Sequence, residues 1–258
     1  MDWTPVSYAY DGSFAGFLTC VFASYAHREE PMSFSTPEDG RISLWPERTV
    51  DTDEARAQRV YRSLAPRLGQ EGRRLAVYGF LTCLEERELY LWRFLRLGYD
   101  RGPWVVRDLT DDRVAVLTRA VGHLTGEAHL LKGFTRFSEQ EGVLVGEIAP
   151  KNRVLPLLRP HFCARYPEES FVLYDRTHRE ALFYRPRRWA IVPLEAFRAA
   201  APGREERDFR RLWRRFYDTI AIEGRENPRC RMTQMPKRFW GTMTEFQNET
   251  EERKELAP

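Results

Sequence analysis

The apolar residues change period after Lys132, and that change limits which folds the chain can adopt. Before it, apolar side chains recur every three and four residues: Phe14, Phe17, Leu18, Val21, Phe22 and Tyr25; then Ala57, Val60, Tyr61, Leu64 and Leu68; then a stretch from about 72 to 97; then Val114, Leu117 and Val121. That spacing lines one face of a helix. Beyond Lys132, GFTRF and VLVGEIA read as a hairpin joined by SEQEG, and VLPLLRPHFCARY reads as a Pro-broken helix. FVLYD and ALFYR read as a second hairpin around RTHRE, with WAIVPL a further strand. This order predicts an α+β fold: a helical N-terminal half, an antiparallel sheet of two hairpins around a helix, and C-terminal helices.

Local signals set the boundaries. PVSYAYDG alternates like a short strand, and Asp11–Ser13 turns the chain into the first helix, with Asp11 as its cap or as a site acid. Residues 27–48 are rich in Pro, Ser and charge and read as a loop holding at most a short strand at Ile42–Leu44. Asp51 to Glu54 resembles a capping box. A break is expected near Cys83–Glu86, Gly98, Gly102 and Pro103 close the third helical stretch, and Thr110–Asp112 opens a fourth, weakened by Gly122 and Gly126. The expected organisation is a mainly helical region at 1–130, a basic α+β region at 131–248 packed with it as one unit, and a solvated tail, ETEERKELAP, at 249–258.

Two further helical patterns flank a polar loop near the C-terminus. From Glu205 to Ile222 the apolar positions are Phe209, Leu212, Trp213, Phe216, Tyr217 and Ile220, with Arg207, Arg211, Arg214 and Arg215 mostly opposite. Gly224 and Pro228 bracket Arg225, Glu226 and Asn227, and Pro236 suits the first turn of a helix carrying Phe239, Trp240 and Met243. Between them lie Arg229, Arg231, Gln234, Lys237 and Arg238. Two readings of this loop stand side by side. Arg225 and Asn227 can cap helix ends, or the guanidinium forks can grip phosphate while Asn reads a base edge.

Charge tips that balance toward an anionic partner. Residues 1–150 carry 18 Lys+Arg against 22 Asp+Glu, whereas residues 151–240 carry 21 against 11, a net of +10, within a chain whose total is only +3. Arg outnumbers Lys 37 to 4, which genome composition explains, but composition does not explain the segregation. A basic block of this size is the footprint of a nucleic-acid or acidic-protein surface. At 258 residues and 42% hydrophobic the chain can bury a large core. No run of eighteen apolar residues suits a membrane span and the start lacks a signal-peptide layout, so a cytoplasmic protein with no membrane partner is expected. Cys20, Cys83, Cys163 and Cys230 form no CxxC pair, so no zinc or iron–sulfur site is expected.

With YDGSFAGFL at Tyr10–Leu18, VLPLLRPHFCARY at Val154–Tyr166 and FVLYD at Phe171–Asp175, the run LWRRFYDTIAIEGRENP…MPKRFW resembles a bacterial family of proteins of unknown function described with DNA metabolism and DNA repair. The resemblance spans Tyr8 to Glu245. It implies a DNA-related role beside a radical SAM DNA repair protein, which members of that family neighbour, and relatives are fused to a uracil-DNA glycosylase-like domain. A Glu-x-His at Glu127 and His129, the His161–Phe162 pair, Arg165 and Asp175 match the family pattern. Where that pattern leads to an Arg three residues after the Asp, this chain has His178, followed by Arg179.

These residues also carry what catalysis the sequence offers. His161 and Arg165, four apart, share a helical face. A glycosylase-like reaction needs a carboxylate to activate water or stabilise an oxocarbenium-like sugar, together with an aromatic to stack on a flipped base. Asp175, Glu127 and Asp11 are candidate carboxylates, His161 a candidate partner, and Trp240 or Phe162 candidate stacking groups. His129, His161 and Asp175 lack metal-site spacing, so no metal and no cofactor is expected; the cysteine triplet of a radical SAM enzyme is absent too. The leading expectation is therefore a protein that binds DNA through Arg225, Asn227, Arg231, Lys237, Arg238 and Arg165 for a radical SAM partner. A nucleobase-processing enzyme using Asp175, His161 and Glu127, and a protein-interaction module without DNA affinity, are the alternatives.

Overall fold

Val6, Ser7 and Tyr8 are buried in succession, as suits the middle strand of a parallel sheet covered on both faces. The computed structural model describes residues 3–37, 43–195, 197, 212, 232 and 235–243. The fold is mixed α/β with two sheets, and the chain divides into two compact units, Met1–Leu124 and Thr125–Pro258.

In the first unit β1 (Thr4–Ala9) is followed by α1 (Phe14–His27), β2 (Glu29–Ser35) and β3 (Glu47–Thr49). Strand order is β2-β1-β3, with both pairings parallel. The strand expected at PVSYAYDG forms, but this mainly helical half also holds a sheet that was not expected. β2 falls inside the stretch read as a loop, and a further short strand lies at Glu47–Thr49; the strand expected at Ile42–Leu44 begins outside the described residues. The reason is physical: parallel pairing joins distant segments, so the alternation of EEPMSFS is stabilised by β1 rather than by its own neighbours. Pro31 is tolerated because β2 is an edge strand. Glu29 anchors the sheet, accepting a 2.8 Å bond from the Tyr8 hydroxyl and a 2.6 Å ion pair from Arg48.

The YDGSFAGFL run is the turn between β1 and α1. Gly12 adopts φ +78°, a left-handed conformation that suits glycine. Ser13, rather than Asp11, caps α1 by accepting the Gly16 N–H at 2.9 Å. Asp11 instead accepts the Ser13 N–H at 2.9 Å and the Thr52 hydroxyl at 2.7 Å. Burial opposes ionisation of Asp11, but these bonds outweigh it and hold the carboxyl below its ordinary range.

Three long helices complete this part of the chain: α2 (Glu54–Phe80), α3 (Arg87–Arg101) and α4 (Asp112–Phe134), with a 3-10 helix at Pro103–Arg107 between the last two. Asp53 caps α2 by accepting the Arg56 N–H at 3.0 Å, in keeping with the capping signal at 51–54. The helix expected to begin near 72 is the continuation of α2 beyond a kink at Gly69 (φ 76°, ψ 173°), and the break falls at 81–86, close to where it was expected. α4 absorbs Gly122 and Gly126 and runs through to Phe134. Leu64, Leu68, Leu91, Phe94 and Leu117 are fully buried and make the centre of this core.

The second unit is built on a five-stranded sheet, β4 (Phe137–Gln140), β5 (Val143–Ile148), β6 (Ser170–Asp175), β7 (Glu180–Arg185) and β8 (Arg188–Pro193), in sequence order. The second expected hairpin forms, whereas the first is shifted: most of GFTRF belongs to the end of α4 and the turn after it, and most of β4 lies within the expected SEQEG connection. β5 and β6 also pair in parallel, so the sheet is mixed rather than antiparallel. α5 (Leu155–Arg165) is the connection that lets the chain return in the same direction. It buries Phe162 against Phe137, and Phe137 and Tyr166 against Phe171. The pattern around Phe239 gives a 3-10 helix, Lys237–Thr242, rather than an α-helix, with Phe239 and Met243 buried. The helix expected at 205–222 lies outside the described residues apart from Leu212.

Close packing yields one check. A Cβ on Gly98 would lie 2.7 Å from both Cγ and Cδ2 of Leu68, which is itself fully buried. Gly98→Ala should lower unfolding free energy by about 1–3 kcal/mol in urea titration; an unchanged midpoint would mean α2 and α3 do not pack as described.

Candidate functional site

Glu127 and Asp175, the two buried carboxylates among the described residues of the second unit, are held by their own local partners. Glu127 projects from α4 with its side chain 2% exposed. Its Oε1 accepts the Lys151 backbone N–H at 3.0 Å and forms an ion pair with the Arg238 guanidinium at 3.3 Å; its Oε2 accepts the Asn152 backbone N–H at 2.9 Å and the Asn152 side-chain amide at 2.7 Å. A buried charge is tolerable only with such compensation. One side chain thus ties α4, the loop between β5 and α5, and the 3-10 helix at 237–242.

Asp175 ends β6 and is fully buried. Its Oδ1 accepts the backbone N–H groups of Thr177 and His178 at 3.0 and 3.1 Å, while Oδ2 lies 2.7 Å from His178 Nδ1. This is an Asx-type turn that shapes the β6–β7 connection, where Arg179 sits at φ +52°. His178, the departure from the family pattern, therefore folds back onto Asp175. With both oxygens of each carboxylate so engaged, neither is presented to a substrate water in this arrangement.

His161 is different. Its Nε2 is buried without a hydrogen-bond partner. Burial, with the positive charges of Lys132 and Arg165, holds the imidazole below its ordinary value. Among the described residues no hydrogen bond or ion pair joins His161 to Glu127 or Asp175. His129 is exposed on α4. Among the described residues no group of three or more His, Cys, Asp or Glu is arranged to hold a metal.

The basic candidates divide. Arg165 and Lys237 are exposed, each beside an aromatic ring: Arg165 lies 5.6 Å from the Tyr166 centroid and Lys237 5.8 Å from that of Trp240. Arg238 is drawn to Glu127 and lies over Phe239 at 4.5 Å, so part of its guanidinium serves the fold. Arg225, Asn227 and Arg231 lie outside the described residues. Trp240 is half-buried and donates its indole N–H to the Met235 carbonyl at 3.1 Å, and Phe162 is buried in the core, so the Phe162 ring does not stand open as expected of a base-stacking group.

Sequence reasoning passed over the hairpin of β7 and β8. Arg185, Arg187 and Arg188 are exposed around its turn, Trp189 is 51% exposed, and the Arg159 guanidinium lies 4.1 Å from the Trp189 centroid. Their strand-like alternation hid them, although three Arg in four residues beside a Trp was a signal available in the sequence.

Two outcomes follow from this geometry. Glu127→Ala strands two backbone N–H groups, the Asn152 amide and Arg238, and should cost about 3 kcal/mol in denaturant unfolding, with Glu127→Gln losing less; a change within about 0.5 kcal/mol would contradict the buried latch. The depressed His161 means the unfolded chain binds a proton first as pH falls, so its contribution to stability is lost as pH drops below the ordinary imidazole value of about 6.5. His161→Phe should therefore flatten that part of the stability–pH curve, and an identical slope in wild type and variant would contradict the buried neutral imidazole.

Comparison with known proteins closes the description. No curated protein matches the chain by sequence. A family profile described as a domain of unknown function, DUF4130, matches residues 85–245, more than half the chain. This chain belongs to the DUF4130 family.

Proposed function

We propose that this chain is a DNA-repair or DNA-metabolism protein that holds nucleic acid on its basic second half and acts with a radical SAM DNA repair protein. The observation that carries the reading is the net charge of +10 over residues 151–240 against −4 over residues 1–150. Lys151, Arg165, Arg185, Arg187, Arg188 and Lys237 are exposed, and none makes an ion pair among the described residues. Cations left without acidic partners attract a polyanion and release its counterions on binding. The radical SAM partner, and the kinship with chains fused to a uracil-DNA glycosylase-like domain, rest on the resemblance of the YDGSFAGFL, VLPLLRPHFCARY and MPKRFW runs.

The geometry favours binding over base excision by the candidate carboxylates. Glu127 and Asp175 are occupied by backbone and side-chain donors, and a general base must reach its substrate with a free lone pair. Those residues shape the surface; they do not act on the base.

Fluorescence anisotropy of the full chain with single- and double-stranded oligonucleotides over a salt series tests this. Log affinity should fall linearly with log salt, at about 0.7 per phosphate contact on single strands and 0.9 on duplex, and Arg165→Ala with Lys237→Ala should reduce both affinity and slope. Absence of binding at low salt would overturn the nucleic-acid reading and turn the basic surface toward an acidic protein. In that case co-purification with the radical SAM protein would survive nuclease.

A further inference from the structure

We propose that the end of the β7–β8 hairpin is a single-strand subsite, in which Trp189 stacks on an unpaired base and Arg185, Arg187 and Arg188, with Arg159, hold the flanking phosphates. This rests on the nucleic-acid reading above and assigns it to a place.

The register brings the groups together. Tyr184 pairs with Trp189 and Arg185 with Arg188 across the antiparallel strands, and Arg187 occupies the turn between them. Consecutive pairs alternate faces, so Tyr184 and Trp189 lie on one face with Arg159, and Arg185 and Arg188 lie on the other, where two guanidiniums side by side at the hairpin end are an unfavourable pairing unless an anion that wraps the sheet edge lies near them. No carboxylate answers them among the described residues, and Arg159, Arg185, Arg187 and Arg188 make no ion pair there.

Trp189 supplies what a plain electrostatic surface lacks. Tyr184 on the same face turns inward, stacked on Phe171 at 4.9 Å with its hydroxyl bonded to the Pro167 carbonyl. Trp189 next to it remains half open, with the Arg159 guanidinium 4.1 Å from its ring. An exposed indole braced by guanidinium is a platform that accepts any base face, and the cations clustered at the hairpin end can meet the phosphates on either side of it. A charged residue such as Arg188 on β8 also protects a sheet edge from aggregation, but that role calls for no large exposed aromatic. A duplex keeps its bases stacked inside and offers Trp189 nothing to cover, so the geometry points to single strands or unpaired ends.

The test uses the full chain and its variants Trp189→Ala, Trp189→Phe and Arg187→Ala with Arg188→Ala, measured by anisotropy with oligo-dT and with a duplex of equal length. All three positions are exposed, and unchanged thermal midpoints establish folding before binding is compared. Trp189→Ala should weaken single-strand binding roughly tenfold with little effect on duplex or on the salt slope, and Trp189→Phe should restore most of it. The double Arg variant should lower the single-strand slope by about 1.4. Wild-type affinity in the Ala variants would overturn this subsite while leaving the nucleic-acid reading standing. Equal losses on duplex and single strand in Trp189→Ala would overturn the stacking role. A wild-type chain that binds neither oligonucleotide would overturn both.

Discussion

The Glu127 carboxylate sits in the interior of the second unit, takes hydrogen bonds from two backbone amides and an Asn side chain, and pairs ionically with an Arg. Burying that charge costs several kcal/mol unless its lone pairs are filled. Consequently α4, the β5–α5 loop and the 237–242 segment are required in one arrangement, with Asn152 and Arg238 as the matching pieces. The β5–α5 loop in turn fixes where α5 starts, and α5 covers the sheet through Phe162 and leaves Arg159 at the β8 edge. A buried polar network of this kind specifies position more than it adds stability.

The first unit uses the same device in miniature. Glu29 receives the Tyr8 hydroxyl and Arg48, and Glu88 receives the Tyr10 hydroxyl, so two tyrosines of the segment around β1 reach carboxylates on β2 and α3. Burial and these carboxylates push both phenols above their ordinary range, which keeps them as neutral donors. The Trp92 indole bonds the Ser24 hydroxyl inside the same core. Burial pushes the Cys20 thiol there up to about 12, a packing group rather than a nucleophile.

Features governed by local periodicity were legible in the sequence: α1, α2, the break before α3, and the β6–β7 hairpin follow directly from apolar spacing and turn residues, while the first hairpin was legible with its first strand displaced. Features governed by distant partners were not. The β2 strand exists because β1 lies beside it, and the parallel β5–β6 pairing follows from the return path through α5, neither of which alternation reports. At the site, Glu127, Asp175 and His161 stood out as residue types with chemistry, yet only coordinates show that the carboxylates are spent on backbone amides while the imidazole nitrogen stands alone. Trp189 escaped notice because a Trp in a strand pattern reads as core; its exposure depends on β8 being the sheet edge.

Segregation of charge between the halves of the chain is the physical basis of the functional account, and it makes a claim about place. Photo-cross-linking of the full chain to a single-stranded oligonucleotide carrying 5-bromouracil, followed by peptide mapping, tests that claim directly. The account predicts adducts within residues 151–240 that disappear as salt is raised. Adducts confined to residues 1–124 would contradict it.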